Sequence, residues 1–229
     1  MSKIAFIASI PDRVEMLKET VRSLLPQVDE IYLSLNNYSA TEGMCIKAMD
    51  VDRIHIEFLD NKLGDSSKFY FTRKLKDVYA FICDDDMAYP QNYVSYMISK
   101  IEEYKRKAVV SLHGRTLNLP ITAYYSGANK QYIFTKEVKQ DVPVHVIGTG
   151  CMAYHSDTIQ VSIDNFPSKN MADVHFSVAA HKKGIPLIVV KHRENWIPYM
   201  APENTIYKEM CNNDSEQVSR LKKIEYLLK

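Results

Sequence analysis

Apolar runs closed by short polar stretches organise the first half of this chain. Lys3 to Ile10 (KIAFIASI) is apolar almost throughout, the pattern of a strand covered on both faces. Pro11-Asp12-Arg13 ends it. Val14, Leu17, Val21, Leu24 and Leu25 then recur at helical spacing, which predicts a helix up to Pro26. Glu30 to Leu35 and Arg53 to Leu59 read as a second and a third strand, closed by Asn36-Asn37 and Asp60-Asn61. A polar turn, Leu63 to Ser67, opens a mixed segment through Lys76. The fourth run, Val78 to Cys83, ends abruptly in Asp84-Asp85-Asp86. After Pro90 a helix carries Tyr93, Met97, Ile101 and Tyr104, and Ala108 to Leu112 is a fifth strand. Strand and helix alternating over short links predict an α/β fold with a mainly parallel central sheet flanked by helices.

The second half is less regular. Ala123-Tyr124-Tyr125 and Tyr132-Ile133-Phe134 flank Ser126-Gly127-Ala128-Asn129, which predicts a hairpin. Val142 to Tyr154 is a strand region broken at Gly148-Thr149-Gly150. Asp173 opens a helix through Lys183, stopped by Gly184 as a C′ residue. Leu187 to Val190 is the last core strand. Ser215 to Lys229 reads as an amphipathic basic helix. No linker divides the chain, so residues 1–229 are expected to form one domain. Its parts are the regular half (1–112), the less regular half (113–200) and the C-terminal helix (215–229).

Composition narrows the class. The 229 residues hold 29 Lys and Arg against 28 Asp and Glu, a net charge of +1, unlike the basic face of a nucleic-acid binder. Cys45, Cys83, Cys151 and Cys211 are widely separated and form no CxxC pair, so they read as reduced thiols of a cytoplasmic protein. The first ten residues lack the cleavage pattern of a signal peptide, and no apolar segment is long enough to span a bilayer.

The chemistry gathers where strands stop. A buried strand cannot run through three carboxylates, so Asp84 to Asp86 are expected at the carboxyl end of theirs, the sheet edge where α/β proteins bind ligands. Strand alternation would point Asp84 and Asp86 one way and Asp85 the other. Two like-facing carboxylates suit a hard divalent cation that also holds phosphate oxygens, while the bland alternative is a solvated acidic turn. The three earlier strands also end in polar residues: Asp12 and Arg13, Asn36 and Asn37, Asp60 and Asn61. Along one edge of a parallel sheet, these ends would line a single cleft for a nucleotide.

The chain resembles the family 2-like glycosyltransferases of the GT-A fold, a Rossmann-like nucleotide-diphospho-sugar transferase architecture. The resemblance rests on Ala8 to Arg13 with the helix that follows, on Asp84-Asp85-Asp86 as a DxD motif, on Gly148-Thr149-Gly150, and on Met171-Ala172-Asp173 opening the helix that ends at Gly184. It covers the chain to about His192, and it implies that residues 1–112 are a nucleotide-binding half and 113–200 an acceptor-binding half. It implies a nucleotide-sugar donor, usually a UDP-sugar, with Mn²⁺ or Mg²⁺. Pro11, Asp12, Arg13, Asn36 and Asp60 would contact the nucleoside, with Asp84 and Asp85 beside them. Asp84 and Asp86 would hold the metal, Asp86 directly, with His192 as a third ligand or else a plain surface histidine. Asp173 matches the aspartate of the family's xED motif, the general base of inverting members; Ala172 stands where a Glu is common. The rival role for Asp173 is a helix N-cap.

The resemblance makes the expected activity an inverting, metal-dependent transfer of a sugar to a glycan or lipid-linked acceptor, in bacterial-style surface polysaccharide synthesis. A sugar-nucleotide pyrophosphorylase would need a Gly-rich basic loop where Ile10 to Arg13 stand. An inactive glycan- or nucleotide-binding module is the non-enzymatic alternative. Tyr124, Tyr125, Tyr132, Phe134 and Trp196 either line an acceptor cleft or fill the core. Lys68 and Arg73 either bind phosphate or face solvent. The tail, with Val218, Leu221, Ile224, Leu227 and Leu228 on one face, is expected to pack on its own domain or on a second copy. Its other possible place is the inner face of a membrane.

Overall fold

The opening apolar run forms the middle of the sheet. In the computed structural model, which describes residues 1–228, β1 (Ser2–Ser9) is followed by α1 (Val14–Leu24), β2 (Glu30–Asn36), α2 (Ala40–Lys47), β3 (Ile54–Leu59) and β4 (Val78–Cys83). β1 pairs in parallel with β2 on one side and with β4 on the other, and β3 lies in parallel outside β2. The chain therefore steps outward from β1 to β3, then crosses back to lay β4 against the free side of β1. That reversal leaves a crevice at the carboxyl ends of β1 and β4.

Alternation along these strands feeds two cores. Ala5, Ile7, Phe81 and Cys83 join Leu17, Val21 and Leu24 of α1 and Ile46 of α2 on one face. Phe6, Ala80 and Ile82 meet Phe69, Phe166 and Phe176 on the other. Burial on both faces is why β1 and β4 read as unbroken apolar runs.

Beyond β4 come α3 (Tyr93–Glu103), β5 (Val109–Ser111), β6 (Gly114–Thr116), β7 (Lys130–Tyr132), β8 (Val142–Pro143), β9 (Val146–Ile147), β10 (Cys151–His155), α4 (Ala172–Lys182), β11 (Leu187–Val189), α5 (Ile206–Met210) and α6 (Ser215–Lys222). The large sheet has the order β3-β2-β1-β4-β10-β5-β11-β8; β10 is antiparallel to both its neighbours, so the sheet is mixed but mainly parallel. A second, antiparallel sheet, β7-β6-β9, stands beside it.

The second half differs from its sequence reading in three places. The expected hairpin between Ala123–Tyr125 and Tyr132–Phe134 does not form. Instead β7 pairs with β6, Gly114 opposite Tyr132, and Asn129 holds the intervening loop through 2.9 and 3.1 Å hydrogen bonds from its amide to the Ala123 and Tyr124 carbonyls. Val142–Tyr154 breaks at Gly148-Thr149-Gly150 as expected, but its strands are divided between the two sheets. The tail is helical only to Lys222, with a 3-10 turn at Glu225–Leu227; Lys229 lies outside the described residues.

The apolar face of the tail is covered by this chain. Val218, Leu221, Ile224 and Leu228 are buried with Leu117, Ile121, Val146, Met171 and Val174. This is the packing on its own domain that the amphipathic pattern allows, with Leu227 of that face left exposed. Among the described residues, no helix is long and apolar enough to cross a membrane.

Candidate active site

The polar strand ends do lie side by side, in the order β3, β2, β1, β4. Over them opens a cavity of about 660 Å³. Ser9 at the end of β1 with Ile10 beyond it, Asn36 at the end of β2 and Asp84, Asp85 and Asp86 after β4 line it, with Arg13 from the turn that follows β1.

The acidic turn is not a continuation of the strand. β4 stops at Cys83, and Asp85-Asp86 form a turn. Alternation therefore ends before the triplet, and the expected split of Asp85 from Asp84 and Asp86 is not what forms. Arg13 Nη1 donates to both Asp85 Oδ1, at 2.9 Å, and Asp86 Oδ2, at 3.2 Å. Lys68 Nζ pairs instead with Asp84 Oδ1, at 2.5 Å. Burial opposes the positive charges of Arg13 and Lys68, yet the surrounding carboxylates overcome it and hold both cations above their ordinary pKa values. Burial, and then the charges of Asp84 and Asp85, push the Asp86 carboxyl up to about 7. Its Oδ1 is buried and has no hydrogen-bond partner among the described residues.

The turn is also held from behind. Met87 bridges Tyr199, and Met200 N donates to Asp86 O at 2.9 Å. Arg13 Nη2 donates to Asn204 O at 2.6 Å, which fixes the C-terminal segment at the rim. Tyr89 Oη accepts the Asp84 N–H at 3.0 Å and donates to Gly150 O.

Across the cavity stands Asp173, in the first turn of α4. The N-cap of that helix is Met171, so capping is not the role of Asp173. Its Oδ1 accepts both the backbone N–H and the hydroxyl of Thr149, each at 2.7 Å, and its Oδ2 makes no hydrogen bond among the described residues. Thr149 sits in the Gly148-Thr149-Gly150 link between β9 and β10. The glycines there make room for side chains. A Cβ on Gly150 would lie 2.6 Å from Asp84 Cγ, and one on Gly148 would lie 2.6 Å from His113 Cδ2.

Four expected site residues are not brought to the cavity. Pro11 and Asp12 form a 3-10 turn from which only Arg13 enters. Asp60 is exposed and paired with Lys62, and Asn61 lines the cavity in its place. His192 is buried after β11, where its Nδ1–H donates to Val190 O at 2.8 Å and its backbone bridges Val138. It is absent from the lining, and among the described residues no three His, Cys, Asp or Glu side chains are spaced to share a metal. Of the three residues expected to hold a cation, Asp84 and Asp86 line the cavity and His192 does not. Asp86 fits that role, since a buried carboxylate oxygen without a donor, beside two further carboxylates, is electrostatically short of positive charge.

Three residues that sequence reading passed over or left open complete the lining. Lys68 is buried and paired, not solvated; Arg73 is exposed, as its sequence setting suggests. Asp65 lies near Lys68, Asp173 and Asp84, and burial raises its carboxyl to about 7. Arg115 enters from β6 and lies over the Tyr124 ring, 4.1 Å from its centroid. Gly64-Asp65 is the one local signal among them, for Gly64 has φ +56° and turns the chain so that Asp65 and Lys68 face inward. For Arg115 no sequence signal exists.

No protein-family profile matches the chain, and no curated protein sequence matches it. Solved structures do. A crystal structure of S. aureus TarS 1-349 aligns with a TM-score of 0.52 at 10% identity, over 85% of this chain and 59% of that one. A second crystal structure of S. aureus TarS aligns at 0.55 and 10% identity, over 96% of this chain and 41% of that one. The chain has a glycosyltransferase-like fold. It spans 59% and 41% of those two chains, so the likeness is one of architecture over this length. Within that architecture, the acidic turn after β4 and Asp173 at the start of α4 face one cavity from two different elements.

Proposed function

We propose that this chain transfers a sugar from a nucleotide-sugar donor to an acceptor hydroxyl. The observation that carries the reading is that Asp84 and Asp86 share a cavity with Asp173, whose Oδ2 is free. The neighbour TarS is a glycosyltransferase, and the common fold supports the same class of reaction here.

Asp86, with Asp84 beside it, would hold Mn²⁺ or Mg²⁺. When bound, the cation supplies positive charge opposite the departing nucleoside diphosphate. The chain does the rest. Asn36, Asn61 and the end of β1 take the nucleoside against the sheet edge. Lys68 fixes Asp84, and Arg13 fixes Asp85 and Asp86. The acceptor hydroxyl reaches Asp173 Oδ2, which takes its proton as the oxygen attacks the anomeric carbon; the bond from that carbon to the diphosphate breaks with its electron pair on the diphosphate. Attack from the face opposite the leaving group inverts the anomeric centre. A UDP-sugar is the donor of choice, a glycan or lipid-linked hydroxyl the acceptor, and the cytoplasm the place of reaction. Residues 1–229 act as one transferase domain.

The test is a pair of variants. Asp86→Ala is expected to abolish metal-dependent binding of UDP and other nucleoside diphosphates. Asp173→Asn is expected to keep that binding and to lose transfer by about 10²-fold or more, the range of general-base contributions. Unchanged turnover in both variants refutes the reading.

A further inference from the structure

Arg115 is a buried cation that no carboxylate neutralises among the described residues. It is 6% exposed and lines the cavity. Arg13 and Lys68, by contrast, are each paired with carboxylates. Arg115 Nη1 donates to Tyr124 O at 2.8 Å, and the guanidinium faces the rings of Tyr124 and Tyr125 at 4.1 and 5.2 Å from their centroids. Its Nε and Nη2 make no hydrogen bond within the described residues. Those two donors form one side of the guanidinium fork, spaced for two oxygens of a phosphate or carboxylate. Stacking fixes the plane of the fork before anything binds. Withdrawing a guanidinium from water with no counter-charge is costly, and an anion arriving in the cavity removes that penalty.

Arg115 stands where β6, β9 and the start of α4 meet. β6 pairs with β9 through Arg115 and Val146, and β9 leads directly to Thr149, which holds Asp173. Tyr124 is buried with Met171 and Val174, the residues around Asp173 at the start of α4. The guanidinium is thus tied, through β9 and Tyr124, to the wall that carries the proposed base.

We propose that Arg115 is an anion subsite for the acceptor, so that the molecule supplying the hydroxyl also carries a phosphate or a carboxylate near it. This rests on the transferase reading above. The attacking hydroxyl lies at Asp173 while the anionic group docks on Nε and Nη2, which orients the acceptor in the cavity.

The test titrates the wild-type protein with glucose 6-phosphate, glucuronate and glucose, with and without Mn²⁺ and a saturating nucleoside diphosphate drawn from UDP, GDP and CDP. Binding is read by calorimetry. The expected result is that at least one anionic probe binds at least tenfold more tightly than glucose and still binds when the nucleotide is present; the tighter of the two identifies the anionic group. Arg115→Gln is expected to remove that preference and to leave nucleotide affinity unchanged, and Arg115→Lys to keep part of it. Equal affinity for the three probes overturns the proposal. So does displacement of the anion by the nucleotide, or a tenfold loss of nucleotide affinity in Arg115→Gln, because Arg115 would then serve the donor diphosphate. Should Arg115→Gln not fold, the wild-type competition and Arg115→Lys decide. Failure of every nucleotide to bind removes the transferase reading itself, and the acceptor role with it.

Discussion

Thr149 grips a single oxygen of Asp173 with two donors, its backbone N–H and its hydroxyl, both at 2.7 Å, and leaves the other oxygen open. The same hydroxyl lies 3.5 Å from Lys68 Nζ, which holds Asp84. One side chain thus connects the carboxylate on the donor side to the proposed base. A hydrogen bond to a charged group contributes about 1.5–3 kcal/mol. Thr149→Val keeps the backbone donor and loses the hydroxyl. It is expected to lower kcat roughly tenfold or more while nucleotide binding stays within twofold, and Thr149→Ser is expected to restore the rate. Equal kcat in the Val and Ser variants would show that the hydroxyl does not position Asp173.

The raised carboxyl of Asp86 makes stability depend on pH. Its folded pKa of about 7 lies above the value of about 3.9 for an unfolded aspartate. Between those values the folded state keeps a proton that the unfolded state releases, so stability from this group falls as pH rises from about 4 to about 7 and then levels off. Asp86→Asn is therefore expected to melt a few degrees above wild type at pH 8 and at the same temperature near pH 4, as thermal scans at both values will show. Asp65, also near 7, adds a slope of the same sign.

Cation binding runs the other way. It needs Asp86 ionised, so Mn²⁺-dependent nucleotide affinity should weaken as pH drops below about 7. Calorimetric titrations at pH 6 and pH 8 measure this, and equal affinities would detach the cation from Asp86.

Gly150 is required by Asp84. An added Cβ would meet the Asp84 carboxylate, so Gly150→Ala must turn that side chain away from Lys68. The expected loss in metal-dependent nucleotide affinity is at least tenfold. Gly127→Ala, whose Cβ would meet nothing within 4 Å, is the matched control and should bind as wild type does.

Leu221 of the tail helix is fully buried. Leu221→Ala is expected to lower unfolding free energy by about 2–5 kcal/mol in urea, the usual range for a buried leucine. A change under about 0.5 kcal/mol would mean that the tail is not part of the core.

How much could be read beforehand follows from how each signal arises. The first-half strands were legible to within a residue or two at each end, β1 and β4 because burial on both faces writes continuous apolar runs, β2 and the edge strand β3 because polar pairs close their apolar stretches. Asp84 to Asp86 were legible because a carboxylate run cannot continue such a strand. α2 was passed over although Ser39 and Glu42 form a capping box, since its eight residues show no apolar stripe; Gly43 and Ile46 are its buried positions. The hairpin reading failed because turn residues mark a reversal without naming the partner strand, and β6 supplied it from a distance.

The sequence by itself determined the alternating α/β layout, the row of polar strand ends and the acidic turn, because local patterns of burial and chain reversal are recorded residue by residue. Only the tertiary structure decided that Arg13 clamps Asp85 and Asp86, that Lys68 is buried against Asp84, that Asp173 is held by Thr149, and that Arg115 has no carboxylate partner among the described residues. The interaction of a charged side chain depends on what stands within a few ångströms of it, and those neighbours come from parts of the chain up to scores of residues apart.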